Sequence, residues 1–596
     1  MSNYYWIEID GVRYYTNGDV CKDIEIIPTA KNKKVVKLIY ALNTFNRTKN
    51  RMFPDVEELI IGHNVVKIDM PNTMFPNVHQ VTSVSTSFYT HKYIIERQHK
   101  RLLNAFAQSE DKPLYLDDLC EIAPMALEGC KCKETVCTKD NHQITANTNA
   151  FTGSAFMDLP FVNGIKKAGR LIVDIDSNAD EVVLPKGQIC NFPPITAKCI
   201  RIQNLQHLQY IETMPRKIIL DADNISENKN MNIDSLYINL SKTGLECIES
   251  RMEQYKSCDG ILYSGDRKTL IVCPQEKTGA VIIPEGTTRI RKRAFATSKI
   301  SSVIFPDSMR ALEDDTFYSC QSLKSVDFGN GIEHIGENGR QYMFANCNKL
   351  KELYFPPQIK VIGIGAFRFC SGLQKITFSE GLETICNSAF TDCNSLTYIK
   401  FPKSLDSIGK MAFVNTSDYV KNPEDVEVHL QSVPYNLAYA FIYPGVTRLY
   451  RCIDMYVDLG YDYFHFVLPN AVRPYDFSLI NHDCNRIDTR CTVAQKLLDT
   501  AYDKACTSSL AAITGFKAYL KTKNKAAKEF VQNEWYRIAR EIINHASEEE
   551  LVALLKLDFL EIQYDENLAE QLRQKNWIIG LAYFLERTKK EENFSL

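Results

Sequence analysis

Residues 362–378 read Ile362-Gly-Ile-Gly-Ala-Phe-Arg-Phe-Cys-Ser-Gly-Leu-Gln-Lys-Ile-Thr-Phe378, and 23 positions later residues 385–401 read Ile385-Cys-Asn-Ser-Ala-Phe-Thr-Asp-Cys-Asn-Ser-Leu-Thr-Tyr-Ile-Lys-Phe401. The first phenylalanine that the two copies share recurs through the surrounding sequence, at Phe295, Phe317, Phe344, Phe367, Phe390 and Phe413. A period near 23 residues is typical of a solenoid, in which each unit buries its apolar side chains against the units stacked on either side. We therefore expect residues 281–415 to form a repeat array with these phenylalanines in its core.

The repeats are similar to the BspA-like class of leucine-rich repeats. The family unit reads roughly I-P-x-x-[VL]-x-x-I-x-x-x-A-F-x-x-C-x-x-L-x-x-I, and both quoted copies match it from the isoleucine to the leucine. The resemblance is specific over about 259–415, and it weakens upstream. It implies a leucine-rich-repeat β-solenoid of about 23-residue units. Together with the helical signals near the C-terminus, it leads us to expect an α+β repeat protein in which this solenoid is followed by a small all-helical C-terminal domain.

Fainter repeats and helix signals outline the rest of the chain. Met52-Phe-Pro-Asp-Val56 and Met74-Phe-Pro-Asn-Val78 lie 22 residues apart, and each precedes a strand-like run. Downstream, Asn524 to Ile543 has helical periodicity, and Ser547 with Glu550 forms a capping box. The last part, Leu568 to Glu586, resembles the closing helix pair of an ankyrin-type repeat. We expect four domains: an N-terminal hairpin cap around Asp10-Gly11 at residues 1–20, degenerate leucine-rich repeats at 21–258, regular BspA-like repeats at 259–475, and a helical domain at 476–596.

Composition and charge exclude several classes of protein. Lys plus Arg is 70 and Asp plus Glu is 73, which gives a net charge of −3 and no sign of a strongly basic nucleic-acid-binding protein. The sequence has no apolar run near the ~18 residues that a membrane span needs, and its first residues do not resemble a secretory signal. The 19 cysteines therefore indicate thiols in a reducing compartment. We expect a cytoplasmic protein, while export by a non-standard route stays open.

The cysteines are also the main candidates for metal or redox chemistry. Four of them follow a repeat phenylalanine by three residues and are expected to lie in one buried column: Cys320, Cys347, Cys370 and Cys393. A second group has ligand types that zinc prefers: Cys120, Cys130, Cys132, Cys137 and His142. Its spacing lacks the usual C-x2-C pair, and Cys130 occupies the repeat cysteine position, so a structural role is favoured over zinc. No sequence motif requires a cofactor, and no catalytic motif is present, so we expect no enzyme.

Strand alternation predicts the surface that would bind a partner. Each repeat strand ends in Leu-x-x-[Ile/Val/Leu]-x-Phe, in which the central aliphatic and the phenylalanine point inward and the leucine packs inward from the preceding turn. The side chains between them should form two exposed columns, listed here: Ser302, Ser325, Glu352, Lys375 and Tyr398 in one, and Ile304, Asp327, Tyr354, Thr377 and Lys400 in the other. Aromatic side chains among charges of both signs have the composition of a protein-binding hot spot. The predicted function is a binding scaffold with a protein partner. Two alternatives stay open: a nucleic-acid-associated subunit of a defence or mobile-element complex, and a cell-surface adhesin-like protein.

Overall fold

The computed structural model describes residues 4–27, 30–43, 51–106, 112–140, 142–147, 149–193, 195, 197–211, 213–222, 240–336, 341–415, 424–445, 451–460, 462–474, 476–487 and 498–588. Its contacts divide the chain into two units, residues 1–260 and residues 261–596. Both units wind as β-solenoids built largely from parallel strands, and the second unit ends in a helical segment. The predicted fold class is thus confirmed.

The first unit consists of short strands and 3-10 turns. Its strands are Tyr5–Ile9 (β1), Val12–Thr16 (β2), Val20–Ile26 (β3), Val35–Leu38 (β4), Ala41–Asn43 (β5), Glu58–Ile61 (β6), Ile68–Asp69 (β7), Gln80–Ser83 (β8), Ile94–Glu96 (β9), Arg101–Asn104 (β10), Leu114–Tyr115 (β11), Glu121–Ile122 (β12), Thr135–Val136 (β13), Thr145–Ala146 (β14), Ile165–Ala168 (β15), Leu171–Ile175 (β16), Val182–Leu184 (β17), Cys199–Ile202 (β18), Lys217–Leu220 (β19), Cys247–Ser250 (β20) and Tyr255–Cys258 (β21). Its 3-10 helices are Asn72–Met74, Ala155–Asp158 and Leu205–Tyr210.

An antiparallel hairpin opens the first unit, as its Asp-Gly turn predicts. β1 pairs with β2 so that Ile9 lies opposite Val12. Asp10 and Gly11 have φ values of 50° and 74°, the left-handed conformation that a two-residue type I′ turn requires. β3 continues the sheet antiparallel to β2, and β5 then pairs parallel with β3. The hairpin is thereby joined to the parallel strands of the array.

The faint repeats of the first unit stack as their spacing predicts. β6 and β8 are parallel and pair Leu59 with Val81, which are 22 residues apart. The rings of Phe53 and Phe75, from the two Met-Phe-Pro copies, lie with centroids 5.4 Å apart. A 22-residue period here therefore corresponds to one turn of the solenoid.

The second unit contains strands of two to seven residues, and its long helices lie at its end. Its strands are Ile261–Ser264 (β22), Thr269–Val272 (β23), Thr278–Ile282 (β24), Arg289–Ile290 (β25), Lys299–Ile304 (β26), Ala311–Leu312 (β27), Ser325–Asp327 (β28), His334–Ile335 (β29), Glu352–Phe355 (β30), Val361–Ile362 (β31), Lys375–Phe378 (β32), Thr384–Ile385 (β33), Tyr398–Lys400 (β34), Ser407–Ile408 (β35), Val426–Leu430 (β36), Tyr443–Pro444 (β37), Cys452–Asp458 (β38), Tyr463–Pro469 (β39) and Ala471–Val472 (β40). Its α-helices are Leu437–Phe441 (α1), Phe477–Cys484 (α2), Ser508–Thr522 (α3), Lys525–His545 (α4), Glu548–Leu555 (α5), Glu566–Gln574 (α6) and Ile578–Thr588 (α7), with a 3-10 helix at Ala501–Lys504.

Two columns of phenylalanine rings form the core of the second unit. Neighbouring rings of the first column have centroids 4.6 to 5.3 Å apart, in the order Phe295, Phe317, Phe344, Phe367, Phe390, Phe413 and Phe441. The second column consists of the strand-end rings Phe305, Phe328, Phe355, Phe378 and Phe401, spaced 5.4 to 6.1 Å. Rings of the two columns meet edge to face, for example Phe355 with Phe367 at 5.5 Å. Both arrangements are favoured for aromatic pairs.

The repeat cysteines form the buried column that their register predicts. Each thiol donates a hydrogen bond to the carbonyl oxygen of the phenylalanine in the preceding repeat, for example Cys370 to Phe344 at 3.2 Å and Cys393 to Phe367 at 3.3 Å. Burial raises the pKa of the Cys347 and Cys393 thiols well above the ordinary value. These cysteines are therefore small core residues that also satisfy a backbone acceptor.

The helical segment packs against the last two long strands of the second unit. In α3, the Thr514 hydroxyl accepts a hydrogen bond from the Cys452 thiol of β38 at 3.5 Å. Gly515 allows α4 to approach closely, since a Cβ at this position would lie 2.4 Å from the Phe530 ring. Lys517 of α3 lies 3.0 Å from the Asp425 carboxylate and 3.1 Å from Glu550 at the start of α5. Among the helices that the structure describes, none has the length and apolar composition needed to cross a membrane.

The predicted capping box is confirmed, since Ser547 and Glu550 form it at the start of α5. Asn524, where the predicted helical periodicity begins, caps α4, and Asp565 caps α6. In each case a side-chain oxygen accepts a backbone N–H that would otherwise lack a partner in the first helical turn.

Candidate functional site

The two predicted columns lie on one parallel strand face of the second unit. β26 and β28 place Ser302 beside Ser325, and β30 and β32 place Tyr354 beside Thr377. Nine of the ten side chains are exposed, and Ser302 is partly buried. The inward residues between them are largely buried, as alternation along a strand requires. We call these ten residues the strand face; their role in binding stays a prediction.

Three large apolar side chains on the strand face are open to solvent. The exposed fractions are 40% for Ile304, 55% for Tyr354 and 46% for Tyr398. Asp327 is the register partner of Ile304, and Glu352 and Lys375 are register partners on β30 and β32, so the face carries charges of both signs. Because protein interfaces are enriched in such aromatic side chains, this mixture suits contact with another protein.

The strand face extends further than the sequence indicated. At one end, β24 pairs with β26, so Ala280 lies beside Ser302 and Ile282 beside Ile304. Ile282 is 70% exposed and adds another apolar side chain to this end. The sequence signal for this additional strand was the run Thr278–Ile282, which lies about one repeat period before Lys299–Ile304, the first strand of the predicted columns.

At the other end, three more strands prolong the columns with histidine and tyrosine. β34 pairs with β36 so that Lys400 lies beside His429, and β36 pairs with β38 so that His429 lies beside Tyr456. β39 then returns antiparallel and places His465 beside Tyr456. Sequence reasoning missed these residues, although the alternation in Val426–Leu430 was a usable signal.

The rings at this end form a continuous stack, which we call the ring ladder: Tyr398, His429, Tyr456 and His465. Successive centroids are 5.2 Å, 4.7 Å and 4.2 Å apart, and the last two pairs are nearly parallel. The His429 Nε2 atom lies 2.5 Å from the Glu427 carboxylate. Stacking and hydrogen bonding together fix the orientation of these side chains.

A buried carboxylate anchors the ring ladder. Asp454 is 2% exposed. It accepts hydrogen bonds from His465 Nε2 at 2.7 Å and from the Tyr456 hydroxyl at 3.0 Å, and the Lys521 ammonium of α3 lies 3.2 Å away. Burial alone would raise the pKa of Asp454, but the bonds from His465 and Lys521 outweigh it and hold the pKa below its ordinary value. Burial and the neighbouring Asp454 raise the pKa of Tyr456. Asp454 is therefore a charged anchor that ties the strand face to the helical segment.

The cysteine–histidine group of the first unit does not converge. The Cys130 and Cys132 sulfurs lie 3.6 Å apart and are buried, whereas Cys120 is exposed. The His142 Nε2 atom lies 3.0 Å from the carbonyl oxygen of Leu116. Within the described residues, no group of three or more His, Cys, Asp or Glu side chains is arranged to hold a metal ion.

Comparison with solved structures finds bacterial leucine-rich proteins. A leucine rich cell surface protein from Faecalibacterium prausnitzii is 17% identical, with 70% of this chain and 96% of that chain covered and a TM-score of 0.25. A leucine-rich repeat protein from Eubacterium ventriosum is 13% identical, with coverages of 70% and 96% and a TM-score of 0.24. The pneumococcal vaccine antigen PcpA is 12% identical, with coverages of 76% and 93% and a TM-score of 0.28. Comparison with curated proteins gives no significant match.

A family model described as BspA type Leucine rich repeat region matches residues 288–421 in six copies. The matched residues contain all ten positions of the strand face, the first phenylalanine column from Phe295 to Phe413 and the whole second column from Phe305 to Phe401. The chain therefore carries a BspA-type leucine-rich repeat region, and the strand face is a surface of those repeats.

Proposed function

We propose that this chain is a non-enzymatic scaffold that recognises a protein partner through the strand face. The observation that carries the proposal is the exposure of Ile304, Tyr354 and Tyr398 on every second strand of the face, β26, β30 and β34. Partly exposed aromatic side chains with polar neighbours are the residues that most often dominate the binding energy of protein interfaces. On a repeat array they are presented at regular intervals along one surface.

The rigidity of the surface supports this proposal. Below the exposed side chains lie fully buried rings such as Phe355 and Phe367, which meet edge to face. The ring ladder is ordered by its own stacking and by Asp454. A surface that is already ordered loses little conformational entropy on binding, which favours affinity.

The charge of the strand face favours a protein over a nucleic acid. Its ten residues include two acidic side chains, Asp327 and Glu352, and two basic ones, Lys375 and Lys400. Nucleic-acid affinity depends mainly on basic side chains that neutralise phosphates, and acidic neighbours oppose it. A balanced face with exposed tyrosines matches a polypeptide surface better.

A reducing, cytoplasmic environment is part of the proposal. Its support is the thiol chemistry: no disulfide joins the cysteines that the structure describes, and those of the repeat column donate hydrogen bonds to carbonyls.

The absence of catalysis is likewise proposed. Histidine and aspartate, here His465 and Asp454, are residue types that enzymes use to transfer protons. In this protein Tyr456 and Lys521 also contact the Asp454 carboxylate, and stacking on Tyr456 holds the His465 ring in place, which favours a structural role for the pair.

Affinity capture from a lysate of the source organism, with and without nuclease, tests the class of partner. We expect a stoichiometric protein that survives nuclease treatment and whose affinity falls by less than about tenfold between 50 and 200 mM salt, against the ~10³–10⁵-fold loss of a protein making 6–10 phosphate contacts. Loss of the captured protein after nuclease treatment, or a steep fall with salt, would support the nucleic-acid alternative instead.

A further inference from the structure

The first strand of the chain has an open hydrogen-bonding edge. β1 stands at the end of the five-stranded sheet β1-β2-β3-β5-β7, and among the described residues β2 is its one neighbouring strand. Such an edge presents a row of N–H and C=O groups that can pair with another strand. Natural proteins usually protect these edges with charges, proline or a covering loop.

The turn geometry shows which backbone groups face the open edge. In a two-residue hairpin the residues that flank the turn, here Ile9 and Val12, exchange hydrogen bonds with each other, and so does every second pair behind them. Ile7 and Tyr5 therefore bond to β2. The N–H and C=O groups of Trp6 and Glu8 point away from β2, towards the open edge.

The side chains of β1 are unusually apolar for an edge strand in contact with water. Tyr5, Trp6 and Ile9 have exposed fractions of 52%, 46% and 38%. Ile7 packs against the core cluster that contains Val12 and Tyr14. Because Tyr5 and Ile9 alternate onto the same face as Ile7, they continue this core face to the rim of the sheet, where the described residues leave both side chains partly exposed.

We propose that β1 pairs antiparallel with β1 of a second copy of this chain, with the two-fold axis at Ile7. In this register the Trp6 backbone of each copy exchanges both hydrogen bonds with Glu8 of the other, so four backbone bonds form. Tyr5 lies beside Ile9 of the second copy, and the two Ile7 side chains meet. The ten-stranded sheet that results has no open edge at β1.

The pattern of the strand itself favours a second copy over an unrelated strand. The apolar residues 5, 7 and 9 are symmetric about Ile7, so an antiparallel copy matches apolar with apolar on the core face. On the opposite face, the Arg13 guanidinium lies 3.3 Å from the Glu8 carboxylate. The acidic side chains of the two copies are therefore each accompanied by a cation of their own chain.

Analytical ultracentrifugation of the full chain between about 1 and 200 µM tests the proposal, because a short interface of this kind belongs to the small, reversible class. The wild type should show a monomer–dimer equilibrium. Glu8→Pro removes an N–H at the open edge and leaves the pairing with β2 intact, so it should weaken dimerisation at least tenfold. Glu8→Ala is the matched control: it removes the same carboxylate but keeps the N–H, and it should dimerise within about threefold of the wild type. A monomeric wild type at the highest concentration, or an undiminished dimer of Glu8→Pro, would overturn the proposal.

Cysteine crosslinking tests the register independently of any effect of proline on folding. Residues facing each other across a two-fold axis in a non-hydrogen-bonded pair have Cβ atoms close enough for a disulfide. Ile7→Cys should form a crosslinked dimer under mild oxidation well above the wild-type background, whereas Tyr5→Cys, which faces Ile9 of the second copy, should not. Equal crosslinking of the two variants, or none above background for Ile7→Cys, would contradict the register and with it the proposal.

Discussion

Replacing Phe367 by alanine removes one ring from the middle of the first phenylalanine column. The Phe367 side chain is fully buried. Its ring stacks on Phe344 at 5.2 Å and on Phe390 at 5.3 Å, and meets Phe355 edge to face at 5.5 Å. The substitution therefore removes three ring contacts together and leaves a cavity between two repeats.

The expected loss of stability lies in the upper part of the usual range. Truncating a buried phenylalanine to alanine costs about 3–5 kcal/mol. Aromatic pairs contribute about 0.5–1.5 kcal/mol each beyond burial, and Phe367 takes part in three of them. Because the rings above and below are held by their own repeats, they cannot easily collapse into the gap. We expect the free energy of unfolding of the second unit to fall by about 4–5 kcal/mol.

Phe369 provides a control of the same residue type, two positions away. Its ring is 44% exposed. Phe369→Ala should change the unfolding free energy by less than about 0.5 kcal/mol. Urea unfolding followed by circular dichroism gives both values, and hydrogen exchange at the amides of Glu352–Phe355 and Lys375–Phe378 shows whether the loss is local. A loss below about 1 kcal/mol for Phe367→Ala, or one equal to that of Phe369→Ala, would refute the stacked register.

Two further predictions concern thiols and acid. When protein purified without oxidant is denatured in guanidinium, nearly all of its 19 cysteines should titrate as thiols. In the native state Cys347 and Cys393 should not react with a thiol reagent, because they are buried. A count showing most of the 19 cysteines paired would place the protein in an oxidising compartment. Burial lowers the pKa of His207 to about 4, and its ring packs on Phe192 at 5.5 Å. The unfolded chain takes up a proton on this histidine near pH 6.5, whereas the folded chain does so only near pH 4. The free energy of unfolding should therefore fall by about 2 kcal/mol between pH 7.5 and pH 5 because of His207. Urea unfolding at the two pH values should show that His207→Leu removes this contribution. An unchanged pH slope in His207→Leu would contradict this assignment.

The sequence predicted the regular repeats because their spacing corresponds directly to their stacking. Residues one period apart, such as Phe367 and Phe390, become vertical neighbours at 5.3 Å. The helix caps at Asn524, Ser547 and Asp565 were equally accessible, since a cap depends on bonds within one helical turn.

The ring ladder escaped prediction because the period changes where it begins. Tyr398 pairs with Glu427, 29 residues later, instead of about 23. Leu430 of β36 takes the position that Phe401 has in the preceding repeat, and β39 runs antiparallel. The column itself continues, since Phe441 stacks on Phe413 at 5.1 Å, and a search that allowed a longer loop would have found it.

Helix α3 was missed for a different reason. Its buried residues, among them Ala512, Phe516 and Ala518, face both the long strands and α4, so they do not form a single apolar stripe. Periodicity detects a helix with one buried face and one exposed face, and it loses contrast when a helix is covered on two sides. Its cap, in which the Thr507 hydroxyl accepts the Leu510 N–H at 3.1 Å, was the remaining local signal.

The affinity of the Tyr354→Ala, Tyr398→Ala double variant for the captured protein tests the role of the strand face most directly. Tyr435→Ala is the matched control, because Tyr435 is 64% exposed and belongs to the turn beside β35, away from the strand face. We expect the double variant to bind at least about tenfold more weakly, since two hot-spot side chains are worth more than about 1 kcal/mol each, while its melting temperature and the affinity of Tyr435→Ala stay close to those of the wild type. Undiminished binding by the double variant, with the same melting temperature, would contradict the account and place the partner elsewhere on the molecule.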